Sequence, residues 1–252
     1  MKRIKKIRGS ALIIAMVLLA TMVIMPSVAR ADKQTDKAVQ TVIEKRLEDH
    51  GIKNVNVTVN DGAITLTGEV ATIAEKMKAE KDARKVGEKY GIANNITVKP
   101  VKMSDQELLD KVVEMVKKNV FYSIYDWVTI GVTNGVVTLS GWVYEPWHKP
   151  LFLHQVQKVP GITEIQNNIQ VLPVSLYDDQ IRRQAARIIY DSDDFEPYSN
   201  IMNPPVHIIV DQGKVTLEGF VTSQYQKDLA DNLITVNTNA LQVMNNLQVV
   251  NK

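Results

Sequence analysis

The 252-residue sequence contains no cysteine. That excludes disulfides, thiolate metal sites, a cysteine nucleophile and a lipid anchor attached through cysteine. Histidine is scarce: His50, His148, His154 and His207 are the only four. None stands in a zinc-ligand pair, and His148 and His154, six residues apart, fall on different faces of a helix. There is no Gly-x-Ser-x-Gly elbow and no phosphate-binding glycine loop. The residues supply no catalytic constellation, no metal ligand set and no cofactor motif, so a non-enzymatic protein is expected.

Residues 1–31 lack acid altogether while holding six basic residues, five of them within MKRIKKIRGS. An apolar run follows at 11–25, broken by Pro26 and Ser27, and Ala29-Arg30-Ala31 ends it with small residues. Basic, apolar and small-residue regions in that order describe a signal peptide. The run is short for a membrane span, which needs ~20 residues. The expectation is a signal peptide at 1–31, cleaved after Ala31, and a periplasmic product with no transmembrane span; a retained anchor is the alternative. Cleavage would remove six of the 30 Lys and Arg and none of the 28 Asp and Glu, leaving 24 against 28, a net charge of −4. A chain of that sign has no global field for nucleic acid, and binding to an anionic surface requires a local patch.

What the sequence does contain is a repeat. Gly62-Ala63-Ile64-Thr65-Leu66-Thr67-Gly68 returns as Gly135-Val136-Val137-Thr138-Leu139-Ser140-Gly141 and as Gly213-Lys214-Val215-Thr216-Leu217-Glu218-Gly219. A second marker follows each copy: Asn94-Asn95-Ile96, Asn167-Asn168-Ile169 and Asn245-Asn246-Leu247. Two markers recurring in one order define three units. Each unit opens with apolar residues at helical spacing, such as Leu108, Val112 and Val116 after a Ser104/Glu107 capping box. An alternating strand comes next (Val55, Val57, Val59; Val128, Ile130, Val132; Val206, Ile208, Val210), then a tight turn at Gly62, Gly135 or Gly213, where hairpins demand φ > 0. A second strand, a second helix and a last strand at 96–99, 169–172 or 247–250 complete the order α-β-β-α-β. Gly68, Gly141 and Gly219 sit on the apolar face of the second strand, and are expected to admit a closely packed helix.

The Gly-x-aliphatic-Thr-Leu-x-Gly hairpin and the stretch Val159-Pro160-Gly161-Ile162-Thr163-Glu164-Ile165-Gln166-Asn167 resemble the BON domain, the module of OsmY-like periplasmic proteins. The resemblance covers most of 36–250. Unit one has Tyr90-Gly91-Ile92 in place of Pro160-Gly161-Ile162, and unit three lacks the Pro-Gly and carries an insertion at 191–205. The resemblance implies an α+β fold of three tandem modules (36–100, 104–172 and 176–250), each a three-stranded mixed sheet covered by two helices. It also implies a periplasmic protein that binds phospholipid or another envelope component under osmotic or envelope stress. The linkers 100–103 and 173–175 are short and contain Pro100 and Pro173, so neighbouring modules should touch.

Topology brings the loop before the first strand beside the loop after the second. In unit two both are aromatic: Phe121, Tyr122, Tyr125 and Trp127 in one, Trp142, Tyr144 and Trp147 with Lys149 in the other. Aromatics with polar tips suit a membrane interface or a protein interface. These eight residues are the candidate site for anionic phospholipid or an envelope protein. A scaffold or chaperone-like factor using the same residues is the second reading, and burial between units two and three is the plain structural one. Asp191, Asp193 and Asp194 lack the calcium-loop pattern and read as a solvated loop. Asp178-Asp179 reads as helix capping. On the second helix of unit one, Lys76, Lys78, Lys81, Arg84, Lys85 and Lys89 alternate with Glu75, Glu80, Asp82 and Glu88. That pattern reads as a solvated face, with phosphate binding the minority reading.

Overall fold

The computed structural model describes residues 33–250; the signal-peptide reading of 1–31 lies outside the described residues. The first module comprises α1 (Lys33–Asp49), β1 (Val55–Asn60), β2 (Ala63–Val70), α2 (Ile73–Val86) and β3 (Gly91–Val98). The second comprises α3 (Asp105–Lys117), β4 (Trp127–Thr133), β5 (Val136–Val143), α4 (His148–Val156) and β6 (Glu164–Val171). The third comprises α5 (Leu176–Tyr190), the short α6 (Glu196–Ser199), β7 (Val206–Asp211), β8 (Lys214–Val221), α7 (Gln224–Asn237), β9 (Gln242–Asn245) and β10 (Gln248–Val249). The order α-β-β-α-β thus holds three times, as an α+β fold.

In each sheet the second strand is central, antiparallel to the first and parallel to the last. The last strand starts earlier than the sequence pattern suggests, at Gly91, Glu164 and Gln242. In the third module it breaks into β9 and β10, both alongside β8. One helix-facing side of each sheet is apolar. Ile43, Leu66 and Ile96 centre the first core, Val112, Leu139 and Ile169 the second, and Ile181, Leu217 and Leu247 the third. The cores are separate, as expected when each unit buries its own apolar face.

Local chemistry explains the recurring markers. Asp61-Gly62, Asn134-Gly135 and Gln212-Gly213 all have positive φ at both positions, the two-residue hairpin turn whose twist matches the strands. The turn is held from the opening helix: the Asp105 carboxylate accepts from the amides of Asn134 (2.8 Å) and Gly135 (3.1 Å), and Asp178 from those of Gln212 (3.1 Å) and Gly213 (2.7 Å). Asp178 is therefore a turn clasp; the helix cap is Ser175, whose hydroxyl accepts from the Asp178 amide. Asp179 pairs with Arg182. The Ser104/Glu107 capping box is formed as expected. The marker asparagines tie strand to helix: Asn94 donates to Lys76 O (3.3 Å) and Asn245 to Lys227 O (2.7 Å).

The second glycine has a different reason from the one expected. At Gly68, Gly141 and Gly219 φ is +127°, +110° and +109°. A Cβ there would stand 2.1 Å from Asn54 O, 2.1 Å from Trp127 O and 1.9 Å from Pro205 O, respectively. The close approach is by the neighbouring strand's backbone, not by a helix, and only glycine tolerates both the contact and the backbone angle.

The modules touch at both junctions. Between the first two, Ala74 N donates to Gln157 O (2.9 Å) and Ile73 packs on the second core. Between the last two, Ile208 N donates to Ile124 O (2.7 Å), while Ile124 and Tyr125 pack on the third core. The 191–205 insertion is not simply solvated: Phe195 is buried in the third core, and Asn203 donates to Lys117 O across the junction.

Candidate functional site at the aromatic end of the second module

The loop 118–126 and the turn 144–147 lie side by side, fastened through Asp126. Its buried carboxylate accepts from Ser123 N (3.0 Å), Ser123 Oγ (3.0 Å) and Tyr144 N (2.8 Å), and lies 2.8 Å from His148 Nδ1. A buried carboxylate is stable only when paired and bonded in this way. The Asp126–His148 pair is closed to solvent, and its partners are a backbone amide and a serine already bonded to the same carboxylate. It fixes the shape of the end.

The structure divides the eight sequence-derived residues into two groups. Tyr122 is buried: its ring meets Phe152 and His207, and its hydroxyl accepts from Val128 N (3.2 Å). Burial raises its phenol pKa well above the usual range. Trp127 is half-buried beneath the third module, with ring centroids 5.0 Å from His207 and 6.3 Å from Phe220. Tyr125 is half-buried against the third core and 5.8 Å from Tyr144. Tyr144 lies under the Arg182 guanidinium, 4.4 Å from its centroid, a cation–π contact across the junction. Trp142 and Lys149 are half-buried. The second group faces out. Phe121 is 51% exposed and Trp147 47%, in an edge-to-face pair at 5.1 Å, beside Val120 at 65%. Sequence spacing brought the two loops together correctly, but did not separate rings that hold the third module from rings that face solvent.

His207 is the residue that sequence reasoning missed. It points from β7 away from its own core, yet is buried under Tyr122 and Trp127, with Nδ1 3.2 Å from Ser123 O. Burial pushes its imidazole down to about 4, against partial support from Ser123 and Asp126. The signal was available: Val206-His207-Ile208-Ile209-Val210 is buried at every position, unlike the alternating β1 and β4. An unbroken apolar strand implies cover on both faces.

A groove of about 470 Å³ opens along the same junction, between α3, the edge strand β4 and the insertion, with Leu109, Val113, Trp127, Pro204 and Phe220 among its walls. Among the described residues, no group of three His, Asp or Glu side chains is placed to hold a metal ion. No described helix is long and apolar enough to cross a membrane.

The fold is a tandem repeat of three α-β-β-α-β modules. The BON domain family profile matches residues 34–100, 104–173 and 177–251, and the chain belongs to that family. No curated protein matches. Among solved structures, the C-terminal domain of CdsD, a structural protein of the type III secretion system of Chlamydia trachomatis, shows 13% identity. The alignment covers 83% of this chain and 96% of that one, with a TM-score of 0.25. A second CdsD structure shows 13% identity over 84% and 92% of the chains at a TM-score of 0.24.

Proposed function

We propose that this chain is a non-enzymatic protein of the bacterial periplasm that binds anionic phospholipid through the outward edge of the second module's aromatic end. The supporting observation is the exposed Val120–Phe121–Trp147 cluster, which no described residue covers to the extent that Tyr122 or Trp127 is covered. An apolar ring pair held rigidly at a surface loses unfavourable hydration when it enters the headgroup region. Lys117 ends α3 next to the cluster and Lys149 follows it, while Lys118 is paired with Glu114 (2.6 Å), so a short-range positive charge from Lys117 and Lys149 accompanies the apolar tip. Tyr122, Tyr125, Trp127, Trp142 and Tyr144 serve as the frame that holds the tip in place. Exported BON-domain proteins of the envelope provide the setting, consistent with the signal sequence expected at 1–31 and with a role in osmotic or envelope stress.

A second reading, a protein-interaction scaffold, is favoured by the apolar groove beside Trp127 and Phe220, which has the concave, mostly apolar lining of a recognition site. Flotation of the mature chain with vesicles separates the two. Binding to anionic but not neutral vesicles, lost in Phe121→Ala/Trp147→Ala, is expected for lipid binding. Absence of flotation on both vesicle types would end the lipid reading and turn attention to crosslinked protein partners.

A further inference from the structure

The junction between the first and second modules carries a cleft of about 740 Å³, and its chemistry is charged where the second junction is aromatic. One wall is α2. Ala74, Met77, Lys78, Lys81 and Lys85 recur at spacings of three and four, which places them on one face of that helix. The facing wall is the end of α4 and the residues after it, with His154, Gln157 and Lys158. The walls are pinned together by Ala74 N donating to Gln157 O (2.9 Å) and by Gln157 Nε2 lying 2.9 Å from Met77 Sδ.

The acids that line this cleft are all engaged. Glu75 accepts from Ala71 N (2.9 Å) at the start of α2. Glu80 accepts from Arg84 (2.8 Å) and Asn94 (3.1 Å), and these two bonds hold its carboxyl below the usual range. Asp82 is buried between Arg46 (3.1 Å) and His50 (2.5 Å). Lys78, Lys81, Lys85 and Lys158 are exposed, and among the described residues none of them forms an ion pair. Four unpaired ammonium groups thus converge on one concave surface of a chain whose mature net charge is negative.

We propose that this cleft binds a ligand bearing more than one phosphoryl group. Lysine acts on phosphate as a point charge, without the planar fork that selects carboxylates, and the one arginine in the lining is already engaged by Glu80. Lys78 to Lys85 spans seven residues, about 10 Å along the helix axis, a length that favours adjacent phosphoryl groups over a single one. The site is separate from the lipid-binding tip, and its ligand is either a soluble oligophosphate or a cluster of phosphate headgroups.

Calorimetric titration of the mature chain, which keeps all three modules, with inorganic tripolyphosphate and with orthophosphate tests the proposal. Tripolyphosphate should bind at least tenfold more tightly than orthophosphate. The variant Lys78→Ala/Lys81→Ala/Lys158→Ala should lose at least tenfold in affinity with an unchanged melting temperature, while Lys53→Ala/Lys214→Ala, exposed elsewhere, should match the wild type. No heat with tripolyphosphate, or equal affinity in the triple variant and the wild type, would overturn it. Flotation of the triple variant on phosphatidylglycerol vesicles then assigns the source. Loss of flotation points to headgroups, whereas intact flotation with lost tripolyphosphate binding points to a soluble ligand. Phe121→Ala/Trp147→Ala should retain tripolyphosphate binding, so failure of the lipid reading leaves this one standing.

Discussion

The two junctions join copies of one fold through linkers of similar length, yet they are built from opposite chemistry. The first is held by a backbone bond from Ala74 to Gln157 and lined with lysines, and both of its histidines, His50 and His154, are exposed. The second buries His207 and Arg182 among Tyr122, Trp127 and Tyr144, and adds the backbone bond from Ile208 to Ile124. A repeat constrains what each module needs for its own core and leaves the surfaces between modules free to diverge. The individuality of this protein therefore lies at the junctions and at the edge of the second one.

The comparison is broken most severely at the backbone. Gly219→Ala places a methyl group 1.9 Å from Pro205 O, directly before β7. It should cost more than about 4 kcal/mol, since strain and overpacking combine. Gly68→Ala has the same clash in the first module, 2.1 Å from Asn54 O. Both should melt their own module, but only Gly219→Ala should also expose the aromatic junction, seen as a red shift in tryptophan emission.

Acid gives the next largest effect. The unfolded His207 titrates near 6.5 and the folded one near about 4, so the unfolded chain binds the extra proton between those values. The stability is fully present above about pH 6.5 and is lost as pH falls toward about 4, by about 3 kcal/mol in total. Urea unfolding at about pH 7.5 and about pH 5 should show about 2 kcal/mol of this loss in the wild type and a shallower pH dependence in His207→Phe. Equal slopes in the two proteins would contradict burial of the neutral imidazole at the junction. The smallest effect belongs to the first junction. Gln157→Ala removes the side-chain contact to Met77 but keeps the backbone bond to Ala74, and should cost about 1 kcal/mol or less. Proteolysis of the 100–103 linker should rise only modestly.

Much of the fold was legible because it rests on local rules. Asn134-Gly135 announces a hairpin turn, Ser104 with Glu107 announces a helix start, and Val55, Val57 and Val59 announce a strand with one buried face. What sequence did not reveal depends on contacts distant along the chain. Gly141 reads as a small residue under a helix until Trp127 O is found beside it. Asp178 reads as a dipole-compensating acid until a turn 35 residues away is seen to donate to it. Phe195 sits in an acidic insertion that reads as solvated, and Ile209 breaks the alternation of β7 in a way that only a covering neighbour explains. The aromatic end itself was legible as a cluster, but exposure within it was not, because the third module decides which rings are covered.

The central claim is that the exposed Phe121–Trp147 edge meets the lipid while the other two tryptophans, Trp127 and Trp142, remain in the frame. Quenching of tryptophan fluorescence by brominated phosphatidylglycerol vesicles tests it directly, comparing the wild type with Trp147→Phe. The expected result is strong quenching in the wild type that is largely lost in Trp147→Phe. Quenching that persists undiminished in Trp147→Phe, or that never occurs in the wild type, would contradict the account.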